Sequence, residues 1–327
     1  MGPDGQATRY RTFDAQKPAL RSRPATRSQV AEVAAAAPAG RTPLWRQVEQ
    51  EEAARWWNRA RVVREPRLPG HWQARYGAVH DIDGPRVRMG LLWLVVVGVA
   101  LAIGLPAVTV VFAVVGALAA HQVARAWEPR NVEADPWVAA GAAALMVVAG
   151  AVDLRWVGAA VLVAVLAALA VAQMNARRHS SVYTDAGHTL LAAVPVGLVG
   201  ACVATNLRYD DLGACAVLLA FTLAYDAGDF LVGTGSPNAY EGPLAGWLAI
   251  AAATMVVVVL HVPPFRGAPT WEFAALAALT CPLGQVAASA ILPSSHSSAP
   301  ALRRLDSLLV LAPVYTFAIG IFLQHHH

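Results

Sequence analysis

MGLLWLVVVGVALAIGLPAVTVVFAVVGALAAHQVARA, residues 89–126, contains two apolar runs, at about 89–105 and 107–126, parted by Gly104-Leu-Pro106. Each approaches the roughly 20 residues that a helix needs to cross the hydrocarbon core of a bilayer. Gly and Pro between them supply the break that a hairpin of two helices requires. The stretch therefore reads as a pair of membrane helices.

The rest of the chain repeats that pattern. Further apolar runs fall at roughly 137–152, 156–175, 188–205, 211–230, 243–261, 270–292 and 305–323, with breakers at Glu133-Ala-Asp-Pro136 and at Pro263-Pro264, Gly267 and Pro269. The expectation is an all-α integral membrane protein with about nine transmembrane helices and a cytoplasmic N-terminal extension. The run at 137–152 is the shortest and is flanked by Asp153 and Arg155. Composition agrees: 57% of the 327 residues are hydrophobic and 14% charged, with a mean hydropathy of +0.46. A soluble domain of ordinary size has no use for so much apolar sequence. Cys202, Cys215 and Cys281 all lie within apolar runs without ligand-like spacing, which argues for packing and against a disulfide framework or a zinc site.

Charge is uneven along the chain. Residues 1–88 hold 16 of the 25 Lys and Arg but nine of the 21 Asp and Glu. Basic residues beside spanning helices stay on the cytoplasmic side, so Arg75, Arg86 and Arg88 place the N-terminus inside, in a cytoplasmic (inner) membrane. With nine spans, Arg125, Arg130, Arg177, Arg178, Arg303 and Arg304 then fall in or beside inner loops, against Arg155, Arg208 and Arg266 in outer ones. No short apolar run with a cleavage site stands near Met1, so the first spanning helix is expected to direct insertion.

Four segments result. Residues 1–42, rich in Ala, Pro, Arg and Ser, read as a disordered basic tail, because too little apolar surface is available to offset chain entropy. Residues 43–88 read as a cytoplasmic amphipathic helix and linker. At 100° per residue Trp45, Val48, Trp56, Ala60 and Val63 share one face, interrupted by Glu52. Such a helix lies in the membrane plane or packs on a cytoplasmic protein surface. Residues 89–323 form the polytopic transmembrane domain. Residues 324–327 form a C-terminal tail, in which His325–His327 resemble a purification tag and are set aside.

Chemistry concentrates in YDAGDFLVGTGSPNAYEG, residues 225–242, and RRLDSLLVLAPVY, residues 303–315. A charge at the centre of a membrane helix costs about 2.5–3.5 kcal/mol on insertion scales and so marks a site by default. Asp226 and Asp229 are three apart, hence on one helical face, and two carboxylates so placed can hold a divalent ion that bridges phosphates. The plainer reading leaves Asp229 at a solvated helix end. Gly228, Gly233 and Gly235 are expected to let the backbone bend closely around a ligand. Ser236-Pro237 starts a turn.

The order and spacing of these residues resemble those of the CDP-diacylglycerol synthase family, the phosphatidate cytidylyltransferases, over Tyr225 to Tyr315. Of that family's D-x-G-A-Y-x-x-G motif the chain keeps Asp226, Gly228, the aromatic Phe230 and Gly233. Of S-P-x-K-T-x-E-G it keeps Ser236, Pro237, Glu241 and Gly242. Of G-D-L-x-E-S it keeps Gly284 and Ser289, and of D-R-x-D-S it keeps Arg304, Asp306 and Ser307. The departures are as specific. The loop Lys is absent from SPNAYEG, Gln285 stands for the Asp of G-D-L, Ala288 for its Glu, and Leu292-Pro293 for a K-R pair. Arg303 stands for the first Asp of D-R-x-D-S, and SSHSSAP, with His296, replaces a P-G-H-G-G loop. In the family the two replaced Asp positions are those expected to hold metal ions.

The resemblance implies a membrane enzyme that joins phosphatidate to CTP and releases pyrophosphate, a nucleotidyltransferase of phospholipid biosynthesis. It assigns catalysis to Asp226, Asp306 and Arg304, substrate binding to Ser236, Pro237, Arg303, Ser307, Gly228 and Gly233, and Mg²⁺ to Asp226, Asp229 and Asp306. Arg303 can itself replace one cation beside phosphates. The alternative is a catalytically inactive member of the fold, an anionic-lipid-binding or scaffold protein. Implied partners are phosphatidate or another anionic lipid and, where catalysis is retained, CTP. A homodimer is left open, and no nucleic acid is expected.

Overall fold

A computed structural model describes residues 86–326, apart from 176–180, 210–211, 235–237, 239, 266 and 295–296. The disordered tail expected at 1–42 and nearly all of the segment at 43–88 lie outside the described residues. Nine long helices follow in chain order: α1 Arg86–Ile103, α2 Leu105–Ala126, α3 Pro136–Val152, α4 Leu154–Asn175, α5 Val182–Tyr209, α6 Leu212–Gly233, α7 Glu241–Leu260, α8 Ala268–Ala290 and α9 Leu308–His326. Two single 3₁₀ turns, Glu128–Arg130 and Leu302–Arg304, stand in the connections, and the described residues contain no strand.

Each apolar run of the sequence has thus become a helix, and the breakers act where they stand. Gly104 takes φ 107°, a conformation closed to most side chains, and Pro106 sits in the first turn of α2, where its missing N–H costs nothing. Asp135 caps α3 by accepting from the backbone N–H groups of Trp137 and Val138 at 2.9 and 2.8 Å. Asp153 separates α3 from α4 and accepts from the Arg155 N–H at 2.9 Å. His261, in the left-handed region, closes α7.

Seven of the nine helices are long and apolar enough to cross a membrane. The apolar part of α1, Gly90–Ile103, and α3, Pro136–Val152, are shorter. At 1.5 Å per residue the 17 residues of α3 rise ~26 Å, less than a hydrocarbon core of about 30 Å. Exposed aromatic residues collect at both ends of the bundle: Trp137, Tyr183 and Tyr240 at one, Trp156, Tyr209 and Trp271 at the other. That is the pattern of side chains which anchor at the two water interfaces.

α2, α3, α4 and α5 pack on one another, α6 through α9 form a second group, and α5 and α9 join the two. Lipid tails are as apolar as Leu, so helices in a bilayer associate by close packing, and small residues permit it. A Cβ on Gly150 of α3 would lie 2.6 Å from the Ala201 carbonyl oxygen of α5, and one on Gly200 of α5 would lie 2.5 Å from Val147. Far from that seam, Gly141 has open space around it. Gly150→Val is therefore expected to lower the thermal stability of the detergent-solubilised protein, by about 1–3 kcal/mol for an overpacked core position. Gly141→Ala is expected to leave it unchanged or raised, since Ala is the better helix former. Equal melting temperatures for the two variants would refute this account of the α3–α5 seam.

Candidate functional site

α6 carries Tyr225, Asp226 and Asp229 on successive positions of one helical stripe, and an apolar helix can hold carboxylates only by turning them toward the bundle interior. Asp229 is 5% exposed, so it is no solvated helix end. Gln285 and Ser289, four apart on α8, lie on one face and are buried. The third contributor is the turn before α9, which brings Arg303, Arg304, Asp306 and Ser307 inward. Gly284 makes that approach feasible, since a Cβ there would lie 2.3 Å from the Asp306 carbonyl oxygen.

Hydrogen bonds cross-link the three segments. Gln285 Nε2 donates to Asp229 Oδ2 at 2.9 Å, and Tyr225 Oη donates to Gln285 Oε1 at 3.4 Å. Ser307 Oγ donates to Asp226 Oδ1, while the Ser307 N–H donates to Asp306 Oδ1 at 2.8 Å. Arg303 Nη1 donates to Ser289 Oγ at 3.2 Å and stands 4.0 Å from Asp306 Oδ2. Arg304 makes no ion pair within 4.0 Å among the described residues, and its guanidinium lies near Gly90 of α1. Burial pushes the Asp306 carboxyl up to about 6, against the opposing pull of Arg303, and burial lowers Arg303 from its ordinary value.

The residues singled out from sequence do come together in part. Asp226, Asp229, Asp306, Arg303, Arg304 and Ser307 meet where α6, α8 and the start of α9 converge. Ser236 and Pro237 lie outside the described residues, as do Gly235 and His296. Gly228 has another task than bending the chain around a ligand. It sits within α6, where a Cβ would meet the Ala245 carbonyl oxygen of α7 at 2.5 Å, so it is a helix-contact glycine. Gly233 ends α6 and adjoins Gly242 in the same seam. On α7, Gly242 and Gly246 leave room for Asp229 and Tyr225.

Sequence reasoning missed the far support of the site. Gln122 of α2 accepts the Ala301 N–H through Oε1 at 2.9 Å, and Trp127 Nε1 donates to the Ile291 carbonyl at 3.0 Å. Both hold the α8–α9 connection against the end of α2. A Gln inside an apolar run was the available signal, yet nothing in its spacing names a partner 179 residues away.

The described residues contain no group of three His, Cys, Asp or Glu side chains arranged to hold a metal. Asp226, Asp229 and Asp306 instead accept bonds from Ser307, Gln285 and the Ser307 backbone respectively.

Two expectations follow. The folded state holds the Asp306 proton more tightly than the unfolded chain does, so stability should rise as pH falls through about 6 and level off once the unfolded carboxyl also protonates. Melting temperatures in detergent between pH 7.5 and 5 should show that rise, flattened in Asp306→Asn; a flat wild-type profile contradicts it. Gln285→Leu removes the amide donor from the buried Asp229 carboxylate and should cost about 1–3 kcal/mol in a denaturation assay, with no loss counting against the assigned bond. No family model matches the chain, and no curated protein matches it.

Proposed function

We propose that the chain is a cytoplasmic-membrane protein of the CDP-diacylglycerol synthase type, with its N-terminus on the cytoplasmic side and about nine membrane segments, that binds an anionic lipid headgroup without transferring a nucleotide to it. One observation carries this reading. The two positions at which the resembled family is expected to hold metal ions are Gln285 and Arg303, and both are turned into the cluster and engaged there, with Asp229 and with Ser289 and Asp306.

The chemistry follows from those two replacements. Phosphatidate and CTP both carry negative charge, and their reacting groups repel unless cations stand between them. An amide and a guanidinium supply fixed hydrogen-bond donors where the reaction calls for mobile metal charge. Arginine does suit phosphate itself, because its planar fork matches two phosphate oxygens. Arg304, which acts on Asp226 and Asp306 from beyond ion-pair distance, and Arg303 form a cationic edge for a headgroup, while exposed apolar helices accept its acyl chains.

A second reading is supported by the meeting of Asp226, Asp229 and Asp306 at one place in the fold. Under it the chain is a divergent phosphatidate cytidylyltransferase, with CTP as co-substrate and Mg²⁺ as cofactor. One assay separates the two. Purified protein is given phosphatidate, labelled CTP and Mg²⁺, and lipid retention is measured alongside pyrophosphate release. The proposal expects retention of phosphatidate over a zwitterionic lipid, weakened at least severalfold by Arg304→Gln, with no pyrophosphate. Pyrophosphate release that Asp226→Asn abolishes would establish the enzyme instead.

A further inference from the structure

Resting on that lipid-binding reading, we infer that Asp306 is a built-in occupant of the headgroup site, an internal carboxylate that holds Arg303 and must yield it before an anionic lipid can bind in full. Two of the guanidinium's partners bear on this exchange. Arg303 Nη1 reaches Ser289 Oγ at 3.2 Å and lies 4.0 Å from Asp306 Oδ2. The first is a hydrogen bond to a neutral hydroxyl. The second is a loose ion pair, longer than the roughly 2.7–2.9 Å of a charge-assisted bond. A carboxylate at that separation lowers the free energy of the buried cation yet holds it less tightly than an anion at hydrogen-bond distance would.

The connectivity makes the exchange feasible. Asp306 does not depend on Arg303 alone, since its Oδ1 accepts the Ser307 N–H at 2.8 Å. Losing the arginine therefore leaves it a partner. Arg303 stays anchored by Ser289 while its other face changes partner. The side chains of Arg303 and Asp306 are 22% and 12% exposed, so the pair is reachable from outside the bundle yet screened from bulk water. In such a place charged partners compete more strongly than at an open surface. Asp306 and Arg303 are three residues apart on one turn, so the carboxylate is presented to the guanidinium at a high effective concentration. Ligand affinity is thereby held below what the arginines alone would give.

The competitor predicts an unusual sign: removing a residue from the site tightens binding. The full chain is reconstituted in nanodiscs of phosphatidylcholine with a small fraction of phosphatidylglycerol, whose headgroup charge stays fixed across neutral pH, and lipid enrichment is read by native mass spectrometry. Asp306→Asn is expected to raise phosphatidylglycerol enrichment about tenfold, and Asp306→Glu to restore the wild-type value. Asp306→Ser serves as a second variant should the Asn form fail to fold. Asp229→Asn removes the same charge from the same cluster, but Asp229 bonds Gln285, so it should gain far less. Enrichment in Asp306→Asn at or below that of wild type overturns the inference, as does an equal gain in Asp229→Asn, which would reduce the effect to net charge. Absence of any phosphatidylglycerol preference in wild type and in the Asp306 variants overturns the lipid-binding reading as well, and so is told apart from failure of the competitor alone.

Discussion

A carboxylate on a membrane helix has to find donors inside the protein, because hydrocarbon offers none. Asp226 and Asp229 impose that constraint on the second helical group. Gln285 and the Ser307 hydroxyl answer it, and each answer sets geometry elsewhere. α8 must face α6 through Gln285. The turn at Leu302–Arg304 must come close enough for Ser307 to reach Asp226, which is what Gly284 allows. α7 must keep Gly242 and Gly246 where it passes Asp229 and Tyr225. Four helices are thus placed by the need to satisfy two acids.

The helices themselves were legible because the bilayer requirement writes itself into length and hydropathy. Every apolar run from residue 89 onward became a helix, and Gly104, Asp135 and Pro136 broke the chain where their chemistry dictates. Length was harder to read than existence. The run at 137–152 already stood out as the shortest, but that at 89–105 did not, and the two yield the helices too short to join the seven candidate spans. The reason is local: charge before Gly90, and the Asp135 and Asp153 caps on either side of α3, trim the apolar stretch from its ends.

The site was legible in membership and opaque in pairing. Asp226 and Asp229 could be placed on one face from spacing alone, but their partners lie 56 to 81 residues away on other helices. No periodicity encodes such a distance. Gly228 shows the opposite error, in which a residue type suggested ligand contact while its place in α6 serves α7. Gln285 and Arg303, read in sequence as losses, turn out in space to be the residues that tie the remaining acids and Ser289 together. The cluster is held together by protein donors.

The bonds from Gln122 to Ala301 and from Trp127 to Ile291 carry a mechanical implication. They fasten the segment bearing Arg303 and Arg304 to α2, while Asp226 and Asp229 ride on α6. The turn that carries the arginines is thus tied both to α6 of its own group, through Ser307, and to α2 of the other. A segment fixed from two sides holds its charges in place only while both groups keep their relative position.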